Sequence, residues 1–187
     1  MAVLAGDKLF IYAFETAAKA FALTDRADLV GKAISILANK AGIYGMIGGQ
    51  SVDVEYTDRP VTKSQLEFIY ELKTAALLEA AMMIGAVLAG ADDNQVKAAE
   101  QIAHHVGMAF QIRDDILDVI STTEELGKPV KSDEKNNKTT YVTIYGLDGA
   151  SKLVEEYSHT AMTLLDQVCP NASFLKRLFE YLIVRKK

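Results

Sequence analysis

Residues 110–118 read Phe-Gln-Ile-Arg-Asp-Asp-Ile-Leu-Asp, which sets Asp114, Asp115 and Asp118 into an otherwise apolar helical pattern. At about 100° per residue, Asp114 and Asp118 lie roughly 40° apart on one face, with Gln111 one turn earlier on nearly the same face. Asp115 is offset by about 100° and can reach the same place from its side. Like charges one turn apart repel by a few tenths of a kcal/mol, so an apolar helix keeps them most easily beside a compensating cation. Hard oxygen donors of this kind suit Mg²⁺, which is usually held by one or two carboxylates plus substrate phosphates. A solvated acidic helix face has the same spacing.

Helical patterns continue on both sides. Ala2 to Phe21 carries Leu9, Tyr12, Ala13, Thr16, Ala17 and Ala20 as one stripe. Asp25 or Asp28 is placed to cap a second helix that ends near Gly42. Residues 43–56 are Gly-rich yet keep helical spacing through Met46, Gly49, Gln50 and Asp53, so the glycines point to close approach of another helix or a ligand. Arg59-Pro60 breaks the chain, and Thr62-Lys63-Ser64-Gln65 has capping-box spacing that opens the longest predicted helix, to about Ala89. Asp92-Asp93 reads as the cap of the helix from Gln95 to Ile120 that carries the acidic cluster. Ser121 to Lys138 is the one long polar loop, a length that inside a compact helical chain suggests function or disorder. Thr139 to Tyr145 has strand-like composition, but no partner strand exists, so a short helix is expected. Gly149 to Val168 and Ala172 to Lys187 are two more amphipathic helices, interrupted by Pro170. With no linker or repeat, residues 1–187 are expected to form a single all-α domain.

Composition narrows the function classes. A net charge of −5 argues against a nucleic-acid partner, and an anionic ligand would have to be met by local cations or metal. No apolar run is long and charge-free enough to span a bilayer, and Leu77 to Ala91, which contains Glu79, reads as a buried helix. No basic segment followed by an apolar one opens the chain, and the lone Cys169 forms no internal disulfide and is read as structural; both point to the cytoplasm. His104 and His105 read as packing or surface residues, and Met82, Met83 and Met108 as core.

Several short motifs then fall in a telling order: Gly48-Gly49-Gln50-Ser51-Val52-Asp53, Lys73-Thr74, the Phe110–Asp118 run, Gly127-Lys128-Pro129, Asp133, and Asn137-Lys138-Thr139-Thr140-Tyr141. Together they closely resemble the trans-isoprenyl diphosphate synthases (farnesyl and geranylgeranyl diphosphate synthases), and the likeness runs from Ala2-Val3-Leu4-Ala5-Gly6-Asp7 to the C-terminus. The resemblance implies an antiparallel helical bundle of the isoprenoid synthase type, with a helix over Thr139–Tyr145. It also implies a prenyltransferase that condenses an allylic diphosphate with isopentenyl diphosphate by Mg²⁺-assisted ionisation. Asp114, Asp115 and Asp118 match the family's second Asp-rich motif and would hold Mg²⁺, with Asp133 as an outer acid. Lys73, Lys128 and Lys138 match the lysines that meet the allylic diphosphate. Thr74 and Gln111 match residues near the carbocation, Gln111 also reaching a metal water or the diphosphate; Gln50 and Asp53 match the segment that lines the cavity under the substrate's first carbons. The family's habit of dimerising implies a homodimer.

The sequence also departs from the family. No Gly-Gly-Lys-Arg-x-Arg-Pro segment and no first Asp-rich motif precedes Asp114, and Asp25-Arg26-Ala27-Asp28 has the wrong context. The expectation is therefore a bundle truncated at its N-terminus. It would keep the second Asp-rich motif and the allylic lysines but lack the isopentenyl diphosphate site, and so be inactive alone. A non-catalytic small subunit, or a Mg²⁺-diphosphate-binding partner of a complete synthase, is the alternative.

Overall fold

The computed structural model describes residues 1–121 and 138–185. No strand occurs among them. In chain order the helices are α1 (Ala2–Ala18), continued by a 3₁₀ turn over Lys19–Ala22, α2 (Ala27–Ala41), α3 (Met46–Glu55) and α4 (Lys63–Tyr70). A π-helical turn over Glu71–Ala75 leads into α5 (Ala76–Leu88), followed by α6 (Asp93–Ile120), α7 (Tyr141–Val168) and α8 (Ser173–Val184).

The two 28-residue helices, α6 and α7, make the largest interface in the bundle. At 1.5 Å per residue α6 runs about 42 Å. Leu66, Ile69 and Tyr70 of α4 pack with Met108, Ile112 and Ile116 of α6 and with Tyr141 and Val154 of α7. A second cluster joins Ile102 and Val106 of α6 to Ala161 and Leu165 of α7 and to Phe179 of α8. α5 lies between α6 and α2.

Local signals account for most helix starts. Thr62 accepts from the Gln65 backbone while Gln65 returns a bond to the Thr62 N–H, and Asp92 and Gln95 do the same for α6. Elsewhere packing overrides expectation. α2 starts at Ala27 with no side-chain cap, because Asp28 is engaged by Arg26 instead. Most of the stripe expected to bury α1 stays in solvent: Leu9, Tyr12, Ala13 and Thr16 are exposed, and Ala17 and Ala20 are half-buried. The helix foreseen from Thr62 to Ala89 is interrupted by the π turn. The short helix at Thr139–Tyr145 is the first part of α7, separated from the rest by Gly146, whose φ of 70° is open to glycine at little cost. No described helix is long and apolar enough to cross a membrane.

Candidate functional site

Lys73 and Thr74 sit inside the π turn, a geometry that recurs at functional sites because it re-aims side chains out of the α-helical register. Two glycines make room for it. A Cβ on Gly49 of α3 would lie 2.4 Å from the Lys73 backbone nitrogen, and one on Gly107 of α6 would lie 2.7 Å from Ala75 Cα. The Gly-Gly segment is thus explained by helix packing, and that packing sets where Lys73 stands.

Lys73 Nζ donates to Asp53 Oδ2 at 2.5 Å, and Lys138 Nζ stands 3.3 Å from Asp53 Oδ1. Burial alone would raise the Asp53 carboxyl, but the Lys73 hydrogen bond and the Lys138 charge outweigh it and hold the group below the ordinary aspartate range. Lys138 and Asp53 also border a cavity of about 380 Å³ with Tyr56, Arg59 and Ile69. Beside Lys73, Thr74 Oγ1 donates to Gln111 Oε1 at 2.9 Å, which ties the π turn to α6 one turn before Asp114. The expected residues Asp53, Lys73, Thr74, Gln111 and Lys138 are therefore brought together from four parts of the chain. Gln50 is not among them. It borders a shallow groove with Met46, Ile47, Ser51 and Val54.

The three motif carboxylates have three surroundings. Asp114 is partly exposed and paired at 2.5 Å with Arg185 Nη2, from the residue after α8. The Arg185 guanidinium also lies 3.8 Å over the Phe110 ring, and Arg113 donates to the Arg185 carbonyl at 3.1 Å. Asp118 is buried, 6% exposed. Asp115 is 3% exposed; Tyr70 Oη donates to its two oxygens at 2.9 and 2.7 Å, and the Tyr141 N–H donates to Oδ2 at 3.0 Å. Asp115, expected to support a metal ion, makes these protein contacts in the structure. Its 100° offset turns it into the α4–α6–α7 core, where it fastens the first residue of α7.

No group of three or more His, Cys, Asp or Glu side chains that could hold a metal by themselves occurs among the described residues. Asp114 and Asp118 nonetheless supply the hard oxygen donors that Mg²⁺ takes together with phosphate oxygens and water, so the donor set fits that ion as a shared ligand. Lys128 and Asp133 lie outside the described residues, as does most of the 121–138 loop.

Three features were missed by sequence reasoning. Arg185 opens a short basic run after an amphipathic helix, and nothing local marks it as the partner of Asp114. Tyr70 reads as ordinary core. Lys40 of α2 pairs with Glu79 and, at 2.5 Å, with Glu100; His104 Nδ1 lies 3.1 Å from Glu79 Oε1. The buried Glu79 was the available clue, because a carboxylate in an apolar helix needs partners.

A polyprenyl synthetase family model matches residues 1–171. The chain belongs to the polyprenyl synthetase family. Among relatives of this prenyltransferase family, the farnesyl diphosphate synthase of Geobacillus stearothermophilus is 37% identical over 185 residues, covering 99% of this chain and 62% of the relative. The geranylgeranyl diphosphate synthase of Cyanophora paradoxa is 42% identical over 156 residues, 83% of this chain and 52% of the relative. Solved structures agree on the all-α fold. Geranylgeranyl pyrophosphate synthetase from Pyrococcus horikoshii superposes with a TM-score of 0.84 at 26% identity, covering 99% of this chain and 67% of that one. A Helicobacter pylori geranyltransferase complexed with magnesium and isoprenyl diphosphate gives 0.82 at 33% identity, covering 97% and 59%. This polyprenyl synthetase chain thus spans less than two thirds of the length of either relative named above.

Proposed function

We propose that the chain forms the allylic-diphosphate half of a trans-prenyl diphosphate synthase site. The observation that carries this reading is the convergence of Lys73 and Lys138 on one spot, next to the Thr74–Gln111 pair and one helical turn from Asp114. An allylic diphosphate leaves as an anion and its prenyl group as a carbocation, so its cleavage needs positive charge where the diphosphate develops negative charge, and a dry apolar cavity. Lys73 and Lys138 bind the diphosphate; Lys128 joins them by family likeness. Thr74 and Gln111 present oxygen atoms toward the first carbons. Asp114 and Asp118 would hold Mg²⁺, which when bound would supply Lewis-acid charge stabilisation to the diphosphate.

No first Asp-rich motif and no isopentenyl diphosphate segment occur in the 187 residues, so the chain as given binds the diphosphate and does not turn it over. Isopentenyl diphosphate enters only where the missing part is supplied. The chain pairs with a second copy through α1, where Val3, Leu4, Leu9 and Ile11 are each more than three-fifths exposed. The same open face favours the second reading, a non-catalytic subunit docking on a complete synthase.

The test combines calorimetry with inorganic pyrophosphate and Mg²⁺ and a prenyl-transfer assay with dimethylallyl and isopentenyl diphosphates. Expected are Mg²⁺-dependent binding, lost in Lys73→Met and Lys138→Met, and negligible turnover. Turnover near that of ordinary synthases refutes the half-site reading, and binding indifferent to both lysines refutes the site.

A further inference from the structure

A carboxylate among cations meant for a diphosphate is an oddity. Asp53 is ionised, its side chain is 15% exposed, and it stands between the two lysines that the proposed function assigns to the ligand. As a direct ligand contact it would repel the diphosphate.

We propose that Asp53 is a positioning residue: its carboxylate gathers Lys73 from the π turn and Lys138 from the approach to α7 into one cationic cradle, and does not itself touch the diphosphate. This rests on the reading of the site given above. Each lysine ammonium has three N–H donors, so sharing one carboxylate leaves donors on both free for an anion. Two ammonium groups against one carboxylate also leave a net positive charge. Lysine stems are flexible, and a ligand that had to collect them from solvent would carry the ordering cost itself. Asp53 removes that cost beforehand. Its own position is fixed on α3, whose Gly49 packs directly against the Lys73 backbone, so carboxylate and π turn move as one unit.

The sign of one substitution decides the matter. Asp53→Asn keeps size but removes the charge that holds the lysines and turns one of the two acceptor oxygens into a donor. If Asp53 positions them, inorganic pyrophosphate with Mg²⁺ binds the variant about tenfold more weakly, although a negative charge has been taken out of an anion site. If Asp53 merely competes with the ligand, the variant binds more tightly, and the proposal is overturned. Asp53→Glu, which keeps the charge, restores binding in part. Melting temperatures of the variants identify any that fail to fold.

A second measurement makes the inference independent of the site's ligand. Acylation of individual lysines by an amine-reactive ester, read by mass spectrometry, should quicken at Lys73 and Lys138 in Asp53→Asn and stay unchanged at the exposed Lys152. Unchanged rates at Lys73 and Lys138 overturn the gathering role even in a chain that binds no pyrophosphate. Conversely, pyrophosphate binding indifferent to Lys73→Met and Lys138→Met, alongside quickened acylation, sinks the reading of the site while the gathering stands.

Discussion

Gly49→Ala tests the central packing claim, that α3 and the π turn touch backbone to backbone. The added Cβ would meet Lys73 N at 2.4 Å, Leu72 Cβ at 2.8 Å and Leu72 C at 2.9 Å. Comfortable contact between such atoms is about 3.5 Å or more, so α3 must retreat by about 1 Å. Two of the three obstacles are main-chain atoms that no rotamer change can move. Overpacking of this kind costs about 1–3 kcal/mol, and the rigid backbone puts the cost in the upper half of that range. Alanine returns about 0.5–1 kcal/mol of helix propensity, which leaves a net loss of about 1–2 kcal/mol. For a chain of 187 residues that corresponds to a drop in Tm of roughly 5 °C. Gly85→Ala on α5 is the control, because nothing lies within 4 Å of its Cβ position. It should gain only the propensity term and raise Tm by about 2 °C. Thermal melts by circular dichroism at one protein concentration read both variants. A Gly49→Ala protein that melts at or above the parent refutes the claim that the glycine is needed for close approach.

Two further outcomes follow from the ion pairs. Arg185→Gln should bind Mn²⁺, used as an electron-spin-resonance probe for Mg²⁺, several-fold more tightly, because the guanidinium now neutralises Asp114; equal or weaker binding would show that Arg185 does not compete with the cation. The Glu79–His104 pair should give stability a window in pH. Its neighbours are Lys40 of α2, Glu71 of the π turn, and Glu100 and His105 of α6. The hydrogen bond to Glu79 raises His104 above the ordinary histidine value against the opposing effect of burial, so its contribution is full below about pH 6.5 and fades as pH rises through the raised value. Burial would raise Glu79, but bonds from His104 and Lys40 prevail and lower it, so that contribution fades only as pH falls through the depressed value. Urea unfolding of His104→Gln should lose the decline above pH 6.5; a variant as pH-dependent as the parent there contradicts the pairing.

The elements read from sequence most faithfully were those with local causes. The Thr62–Gln65 capping box and the Asp92 cap use contacts within one turn, and both formed, the latter also closing a box with Gln95. The convergence of Lys73, Thr74, Gln111 and Lys138 was legible through motif order. The π turn was not, since an extra residue in one turn leaves the apolar pattern of a long helix nearly intact. The exposure of α1 was not either, because an amphipathic stripe states that a face needs cover and not which surface supplies it. Asp53 was expected beside the substrate's carbons, and its pairing with Lys73 and Lys138 had no local signal. Neighbours distant in sequence decide such roles.

The adjacent Asp114 and Asp115 show how one helix can serve two ends of a site. A single residue step rotates the side chain by about 100°, so in a helix half-sunk in a core one of two neighbouring aspartates faces outward and the other inward. An inward carboxylate is tolerable only when hydrogen-bonded, and Tyr70 and the Tyr141 N–H meet that need. The Tyr141 amide opens α7, where the helix dipole favours a negative charge. Lys138 lies three residues before that anchor. Fastening Tyr141 to Asp115 therefore fixes where the chain returns after the polar loop, and with it the reach of Lys138 toward Asp53. The outward aspartate pairs with Arg185, and the inward one holds the returning chain in place. Asp115→Asn or Asp115→Ala would leave Asp114 in place yet loosen the hold on Tyr141, and with it the placement of Lys138 beside Asp53.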